Sequence, residues 1–458
     1  MNINNLKQEL SSFTTRSVET CLSLGVDHAE AFALVKEVEA LHHLGNAPTL
    51  DSGTRSGYGL RVALGKKIGF SSSSSLNRNS IRKTAERAVN MARVAADDPH
   101  FEGFAGPTPE GTSMIIGEQL LVMTIEELVA MDQELFREAK QRDPRLVLSP
   151  SMEVTKGGFA VANSNGVDRG AGFVLGVIDV MAILGEGSDQ RDFTDLQCNN
   201  TGFDSEGVID RVVEGVTALQ GSKPLPRKQQ YSVLFDPWVS ADLIQGLEMA
   251  ISGQALTGKN CPWEDRIGDT VVHPSLTIRD VVDDEHLYTT IPVDHEGTGT
   301  RTRIIVDKGM LKSQIFDDYH GKRHGTSSTG NALRAGRYGY DTDHEYYPRV
   351  CYHELTADPV RGMTLERQLE KMEEGIYIQG DVQGISYHHI DKVSGNFTGQ
   401  ATRAYYVKRG GLQYPLKPVM INGNLFAALE RVTSIGEPVK KSSFSRVPRL
   451  CLDGINVS

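Results

Sequence analysis

The chain has 458 residues, 39% of them hydrophobic and 23% charged, a balance that fits a folded globular protein and argues against disorder. It carries 59 Asp and Glu against 48 Lys and Arg, a net charge of −11, which repels phosphate backbones and disfavours nucleic-acid binding. No apolar run approaches the roughly 18 residues of a membrane span, and MNINNLKQELSSF lacks a basic-then-apolar leader, so the expected compartment is the cytoplasm.

Residues 3–24 predict a helix ending near Gly25. AEAFALVKEVEALHHL then alternates as a long strand. SGYGLRVALGKKIGFSSSSS predicts two strands turning at Gly65-Lys66, and its serine run leads into a helix. Asn79 or Ser80 caps that helix, with Ile81, Ala85, Ala88, Val89 and Ala92 as its apolar stripe. Residues 1–105 thus read as an α+β unit, closed by the Gly- and Pro-rich DDPHFEGFAGPTPEGTS.

A second α+β unit, residues 106–225, repeats this order loosely. It holds the amphipathic helix TIEELVAMDQELFREAKQ, the strand-like runs GFAVANSNGV and FVLGVIDVMAIL, and the helix SEGVIDRVVEGVTAL. GSKPLPRK, at 221–228, leads into residues 226–458, rich in glycine and short β-branched or aromatic runs. There the strand YSVLFDP precedes ADLIQGLEMAISGQAL (241–256), whose apolar spacing predicts one helix. Hairpins are expected at Lys308-Gly309 and Gly410-Gly411, and helices at 238–252, 364–375 and 423–431. The fold class expected is α+β, with helix-strand-hairpin-helix units followed by a mostly antiparallel β domain with edge helices.

SGYGLRVALGKKIGFSSSS, AISG, DHEGTGTRTRIIVDKGML, SSTGN and GGLQYPLKPVMINGN occur in that order between about residues 15 and 440. Together they resemble the TldD/TldE (PmbA) family, once known as modulators of DNA gyrase, a name that implies no DNA contact. The resemblance implies zinc peptidases on the TldD side, with an HExxxH helix and a later cysteine ligand. It implies TldE-type partners without those ligands. On this chain the motif positions fall at Gln245, Gly246 and Ala250, and the cysteine position at Ile435. Zinc needs three protein ligands with lone pairs, and a general base is missing where glycine stands. The implied reading has no catalytic residue and no metal in this chain, zinc being expected in a TldD-like partner.

The same resemblance puts a peptide-channel loop at SSTGN, so Ser328, Thr329, Gly330, Asn331 and Arg349 are candidate substrate-binding residues. By residue type alone, His320 and His324 in DDYHGKRHG have a spacing that can hold a transition metal, although Gly321 and Gly325 weaken the helix. DTDHEYYPRVCYHEL offers His344 and His353, and GISYHHIDKVSGNF offers His388, His389 and Asp391; the bland reading of both is polar loop. Five scattered cysteines without a CxxC pair read as reduced thiols.

The expected function is a non-catalytic subunit of a heterodimeric zinc metallopeptidase, shaping a channel in which an unfolded or precursor peptide pairs through its main chain. The alternative is a stand-alone peptide-binding or regulatory protein, homodimeric and without proteolytic activity. A third reading, a peptidase using His320, His324 and an acid, stays open by residue type. Neither nucleic acid nor membrane is an expected partner.

Overall fold

The computed structural model describes every residue except 1, 45–46, 114–115, 186–189, 204–206, 285–289, 335–342, 381, 386–388 and 438–444. Its N-terminal half contains α1 (Ile3–Ser23), β1 (His28–Leu44), β2 (Ala47–Leu64), β3 (Lys67–Ser73) and α2 (Arg78–Val94). These are followed by α3 (Glu118–Val122), α4 (Ile125–Arg142), β4 (Val147–Asn163), β5 (Asp168–Leu184), β6 (Arg191–Asn199) and α5 (Val208–Thr217).

The six strands form one antiparallel sheet in the order β3-β2-β1-β4-β5-β6. Segments 1–105 and 106–225 therefore do not each carry a separate sheet: β1 pairs with β4 from Glu30 to His42. The reason is burial on both faces of β1. Ala29, Ala31 and Ala33 pack with residues of α1 and α2, while Phe32 and Leu34 meet Phe159, Val161, Ile291, Val293 and Leu333 on the other face. A central strand of this kind needs a neighbour on each side as well as a cover on each face. β6, RDFTDLQCN, was not expected, because its alternation is weak; it exists by pairing with β5.

Several local expectations shift by a residue or two. The cap of α2 is Asn77, whose side chain accepts from Asn79 N at 2.9 Å, rather than Asn79 or Ser80. The α4 cap is Thr124, closed by Glu127 into a reciprocal capping box.

The C-terminal half runs β7 (Gln229–Phe235), α6 (Pro237–Gln245), α7 (Glu248–Ile251), α8 (Gly253–Thr257), β8 (Leu276–Asp280), β9 (Arg303–Asp307) and β10 (Met310–Leu311). Then come α9 (Asp318–Arg323), β11 (Ala332–Arg334), β12 (Pro348–Val350), β13 (Leu355–Pro359), α10 (Leu365–Glu370), β14 (Glu374–Ile378) and β15 (Val382–Gln383). The chain ends with β16 (Asn396–Ala401), β17 (Ala404–Lys408), β18 (Gly411–Pro415), β19 (Val419–Asn424), α11 (Leu425–Glu430), β20 (Val432–Ile435) and β21 (Leu450–Val457).

The large sheet is ordered β15-β16-β19-β21-β7-β14-β17-β18 with β20 added to β21, and among the described residues only its β7–β14 strand pair is parallel. A four-stranded sheet, β10-β9-β8-β13, and the β11–β12 pair complete an α+β fold. The hairpin at Lys308-Gly309 forms with φ of 46° and 83°. The second hairpin turns at Arg409-Gly410, with φ of 52° and 76°, and Gly411 already belongs to β18. Both turns have the two positive φ values that match strand twist.

The single helix expected over 241–256 is three short ones. α6 ends at Gln245 with Gly246 as its cap; Ser252 then turns extended (ψ 123°) and caps α8. Ser252 also bridges to Ile315, an interaction that breaks the helix and that apolar spacing cannot reveal. The helices expected at 364–375 and 423–431 shorten to α10 and α11, started by Thr364 and Asn424. Among the described residues no helix is long and apolar enough to cross a membrane.

Candidate functional site

The four positions matched to a zinc motif lie in a packed interior. Asp236 caps α6, accepting from Val239 N at 3.1 Å and Gly380 N at 2.6 Å, and burial pushes its carboxyl up to about 6. At the other end of α6, Gln245 is 1% exposed and donates from Nε2 to Ser445 Oγ at 2.7 Å. A Cβ on Gly246 would lie 2.9 Å from the Ile390 and Leu425 side-chain ends, so any side chain there would make those methyl groups shift. Ala250 and Ile435 are buried in the apolar core, and the Ala250 carbonyl accepts from the Cys261 thiol at 3.3 Å. Among the described residues no three His, Cys, Asp or Glu side chains are grouped to hold a metal. One carboxamide already bonded to a serine, a glycine, a methyl group and an isoleucine do not fit zinc, which takes nitrogen, sulfur or carboxylate ligands.

The loop Ser328–Asn331 is held by its own side chains. Thr329 Oγ1 donates to Asn331 Oδ1 at 2.6 Å and accepts from Phe316 N at 2.7 Å; Ser328 Oγ accepts from Gly330 N at 3.2 Å. Asn331 Nδ2 donates to Asp280 Oδ2 at 2.7 Å and to the Cys351 carbonyl at 3.0 Å. Asp280 also accepts from the backbone of His353 and Glu354, and burial raises its carboxyl despite His353 and Asn331 nearby. These side chains build the loop rather than point from it. Arg349 differs: it sits exposed on β12, opposite Leu333 of β11. The segment between the loop and β12 includes 335–342, which lie outside the described residues.

The histidines are separated. His320 Nδ1 lies 2.7 Å from Asp317 Oδ1, whereas His324 Nε2 lies 3.1 Å from Thr257 Oγ1. Each nitrogen named has its own partner, and the pair does not converge on one point. His353 Nε2 meets the Gly330 carbonyl at 2.7 Å, and His344 Nδ1 meets Asp343 at 2.9 Å while its ring fills the space over Gly57. Asp391 accepts from Val393 N and Ser394 N in a local turn; His388 lies outside the described residues.

The charged residues that matter most to the architecture were not singled out from the sequence. Glu30 on β1 and Arg61 on β2 are direct cross-strand partners, joined by two hydrogen bonds of 2.8 and 2.7 Å. Arg61 Nη2 continues to Glu296 Oε1 at 2.9 Å, and Arg334 Nη2 reaches Glu30 Oε1 at 2.8 Å. The Arg334 guanidinium lies 4.6 Å from the Phe32 ring and that of Arg61 5.0 Å from Phe104. Burial opposes the charge on Arg61, yet Glu30 and Glu296 overcome it and hold the guanidinium well above its ordinary value. Burial pushes the Glu296 carboxyl up to about 7; Arg61 opposes this, while Asp317, Glu30 and Asp318 reinforce it. Burial lowers Arg334 to about 10 against the pull of Glu30.

A cavity of about 280 Å³ opens beside this cluster, walled by Arg61, Phe101, Phe104, Glu296, Asp318 and Tyr347. The signal was present in AEAFALV and GLRVAL, where one charge interrupts each apolar run. A charge at a buried strand position requires a partner.

Residues 228–458 match the PmbA/TldA metallopeptidase C-terminal domain, and residues 44–92 match domain 1 of the same family. A metalloprotease PmbA homolog of Haemophilus influenzae is 23% identical over 470 aligned residues, covering 99% of this chain and 96% of that protein. A metalloprotease TldD homolog of the same bacterium is 21% identical, covering 83% of this chain and 79% of that protein. The solved TldE of Thermococcus kodakarensis superposes with a TM-score of 0.84 at 19% identity, over 97% of this chain and 99% of that one. With its C-terminal half matched throughout and its fold shared along nearly its whole length, this chain belongs to the PmbA/TldD metallopeptidase family.

Proposed function

We propose that this chain is a TldE/PmbA-type subunit that performs no peptide hydrolysis itself and completes the channel of a TldD-like zinc peptidase. The supporting observation is the chemistry at Gln245, Gly246, Ala250 and Ile435: a buried amide tied to Ser445, no carboxylate base, and apolar core where ligands would stand. A water molecule cannot be activated there, since neither a metal-ligand set nor a general base is present at these positions. Substrate would be an unfolded or precursor peptide, bound extended so that its backbone pairs with the channel wall. Arg349, exposed beside the ordered Ser328–Asn331 loop, would contact it. This reading places the protein in the cytoplasm with its partner.

The test is cleavage of one disordered peptide by this chain, by a TldD-like chain, and by the mixture, each with and without chelator. The reading expects chelator-sensitive cleavage from the mixture and none from this chain. Cleavage by this chain free of partner would refute it. Equal activity from the partner alone would leave a stand-alone binding or regulatory role.

A further inference from the structure

The cavity of about 280 Å³ beside Arg61 sets the carboxylates at the start of α9 next to a wall of aromatic rings. Most of its charges are matched. Arg61 is held by Glu30 and Glu296, the second Glu296 oxygen accepts from Asp318 N at 3.0 Å, and Asp318 Oδ2 takes Lys322 Nζ at 2.6 Å. Asp317 is the exception. Its Oδ1 accepts from His320 N at 2.7 Å and lies 2.7 Å from His320 Nδ1, whereas Oδ2 has no hydrogen bond among the described residues. The Asp317 side chain is only 5% exposed and lines the cavity, so a partner for that oxygen has to come from the cavity itself. A buried carboxylate oxygen left without a donor is destabilising.

The aromatic wall is suited to positive charge. Phe101 and Phe104 meet edge to face with centroids 5.4 Å apart, and Tyr347 packs on Phe70 at 4.7 Å. The Arg61 guanidinium already lies 5.0 Å from the Phe104 ring, as cations over aromatic faces do. Burial raises the carboxyls of Glu296 and Asp318; their paired cations oppose this and the Asp317 charge reinforces it. One more positive charge would relieve all three acids.

We propose that this cavity binds a small protonated aliphatic amine, its ammonium donating to Asp317 Oδ2 and its methylenes lying against Phe101 and Tyr347. Three observations select this ligand class. Among the described residues no three His, Cys, Asp or Glu side chains are grouped for a metal ion, and aromatic walls favour a weakly hydrated organic cation over a metal. Only one Asp317 oxygen is open, which serves a point charge and not the two-pronged fork of a guanidinium. The volume falls at the small end of ligand pockets, roughly 300–1,000 Å³, which admits a short alkyl chain and excludes a peptide. The site neither requires nor excludes the heterodimeric peptidase reading.

Calorimetric titration of the purified chain with pentylamine at fixed ionic strength tests it. One amine should bind per chain, in the millimolar range expected of so small a ligand. Pentanol and pentylguanidinium should each bind about tenfold more weakly, because neither satisfies the open oxygen as an ammonium does. Asp317→Asn keeps an oxygen to cap α9 and exchanges the open one for an N–H donor, so amine affinity should fall about tenfold. Tyr347→Ala, at a position 47% exposed, changes no charge and should weaken the amine about threefold. Should Asp317→Asn fail to fold, Tyr347→Ala and the pentanol comparison decide. Absence of saturable binding overturns the proposal, as does pentanol or pentylguanidinium binding as tightly as pentylamine, or a folded Asp317→Asn protein with unchanged affinity.

Discussion

Arg61 Nη2 lies 2.9 Å from Glu296 Oε1, a bond that closes 235 residues of chain and fastens β2 to the C-terminal half. Breaking it should be costly, because Arg61→Ala leaves Glu296 buried and removes the bidentate partner of Glu30. Loss of one member of a buried pair costs about 3–5 kcal/mol; Arg334 still reaches Glu30, so the lower end is expected. Arg61→Met combined with Glu296→Leu should recover most of that loss. Urea unfolding of the three proteins reads it, and a loss under about 1 kcal/mol for Arg61→Ala would deny the cluster its structural role.

Stability should fall as pH rises through the neutral range. Asp236, Asp280, Asp294, Glu296 and Asp318 are all raised by burial, so the folded chain holds protons that the unfolded chain has released. For Glu296 this contribution is fully present below the ordinary value of 4.5 and is lost as pH rises through about 7. Melting temperatures between pH 5 and 8 should therefore decline, and Glu296→Gln should flatten that decline. A rise across the same window, identical in both proteins, would contradict the assignment.

Zinc should not accompany the purified chain. Gln245, Gly246, Ala250 and Ile435 leave a site that does not fit the ion, so elemental analysis after dialysis should find far less than one zinc per chain. A full equivalent would return attention to the histidines of the chain, starting with His320 and Asp317.

Asn331 and Arg349 should separate structure from binding. Asn331→Ala removes one donor from Asp280 Oδ2 and one from the Cys351 carbonyl in a buried setting, costing about 1–3 kcal/mol. Arg349→Ala, at an exposed strand position, should change stability by less than about 0.5 kcal/mol. It should nevertheless slow peptide cleavage by the mixed complex without dissociating it. Unchanged cleavage, or subunits that separate, would make Arg349 a structural or interface residue.

Short-range physics governs the features that are legible in the residue pattern. Alternation in AEAFALVKEVEALHHL, the stripe of α2 and the glycine turns specify β1, α2 and the hairpins to within a residue or two, because side-chain period and positive φ are local properties. The order of five glycine-rich motifs was enough to reach the family, and the residues at 245, 246, 250 and 435 were enough to question its chemistry.

Tertiary structure alone decided the rest. The merging of segments 1–105 and 106–225 into one sheet, the break at Ser252 set by Ile315, and the Glu30–Arg61–Glu296–Arg334 cluster all depend on partners far away in the chain. So does the inward use of Thr329 and Asn331, which the family resemblance offered as candidates for peptide contact. A polar side chain reads the same in sequence whether its partner is a substrate or a buried carboxylate. Only packing distinguishes them, because a buried group must be bonded within the fold while an exposed one is free to bind.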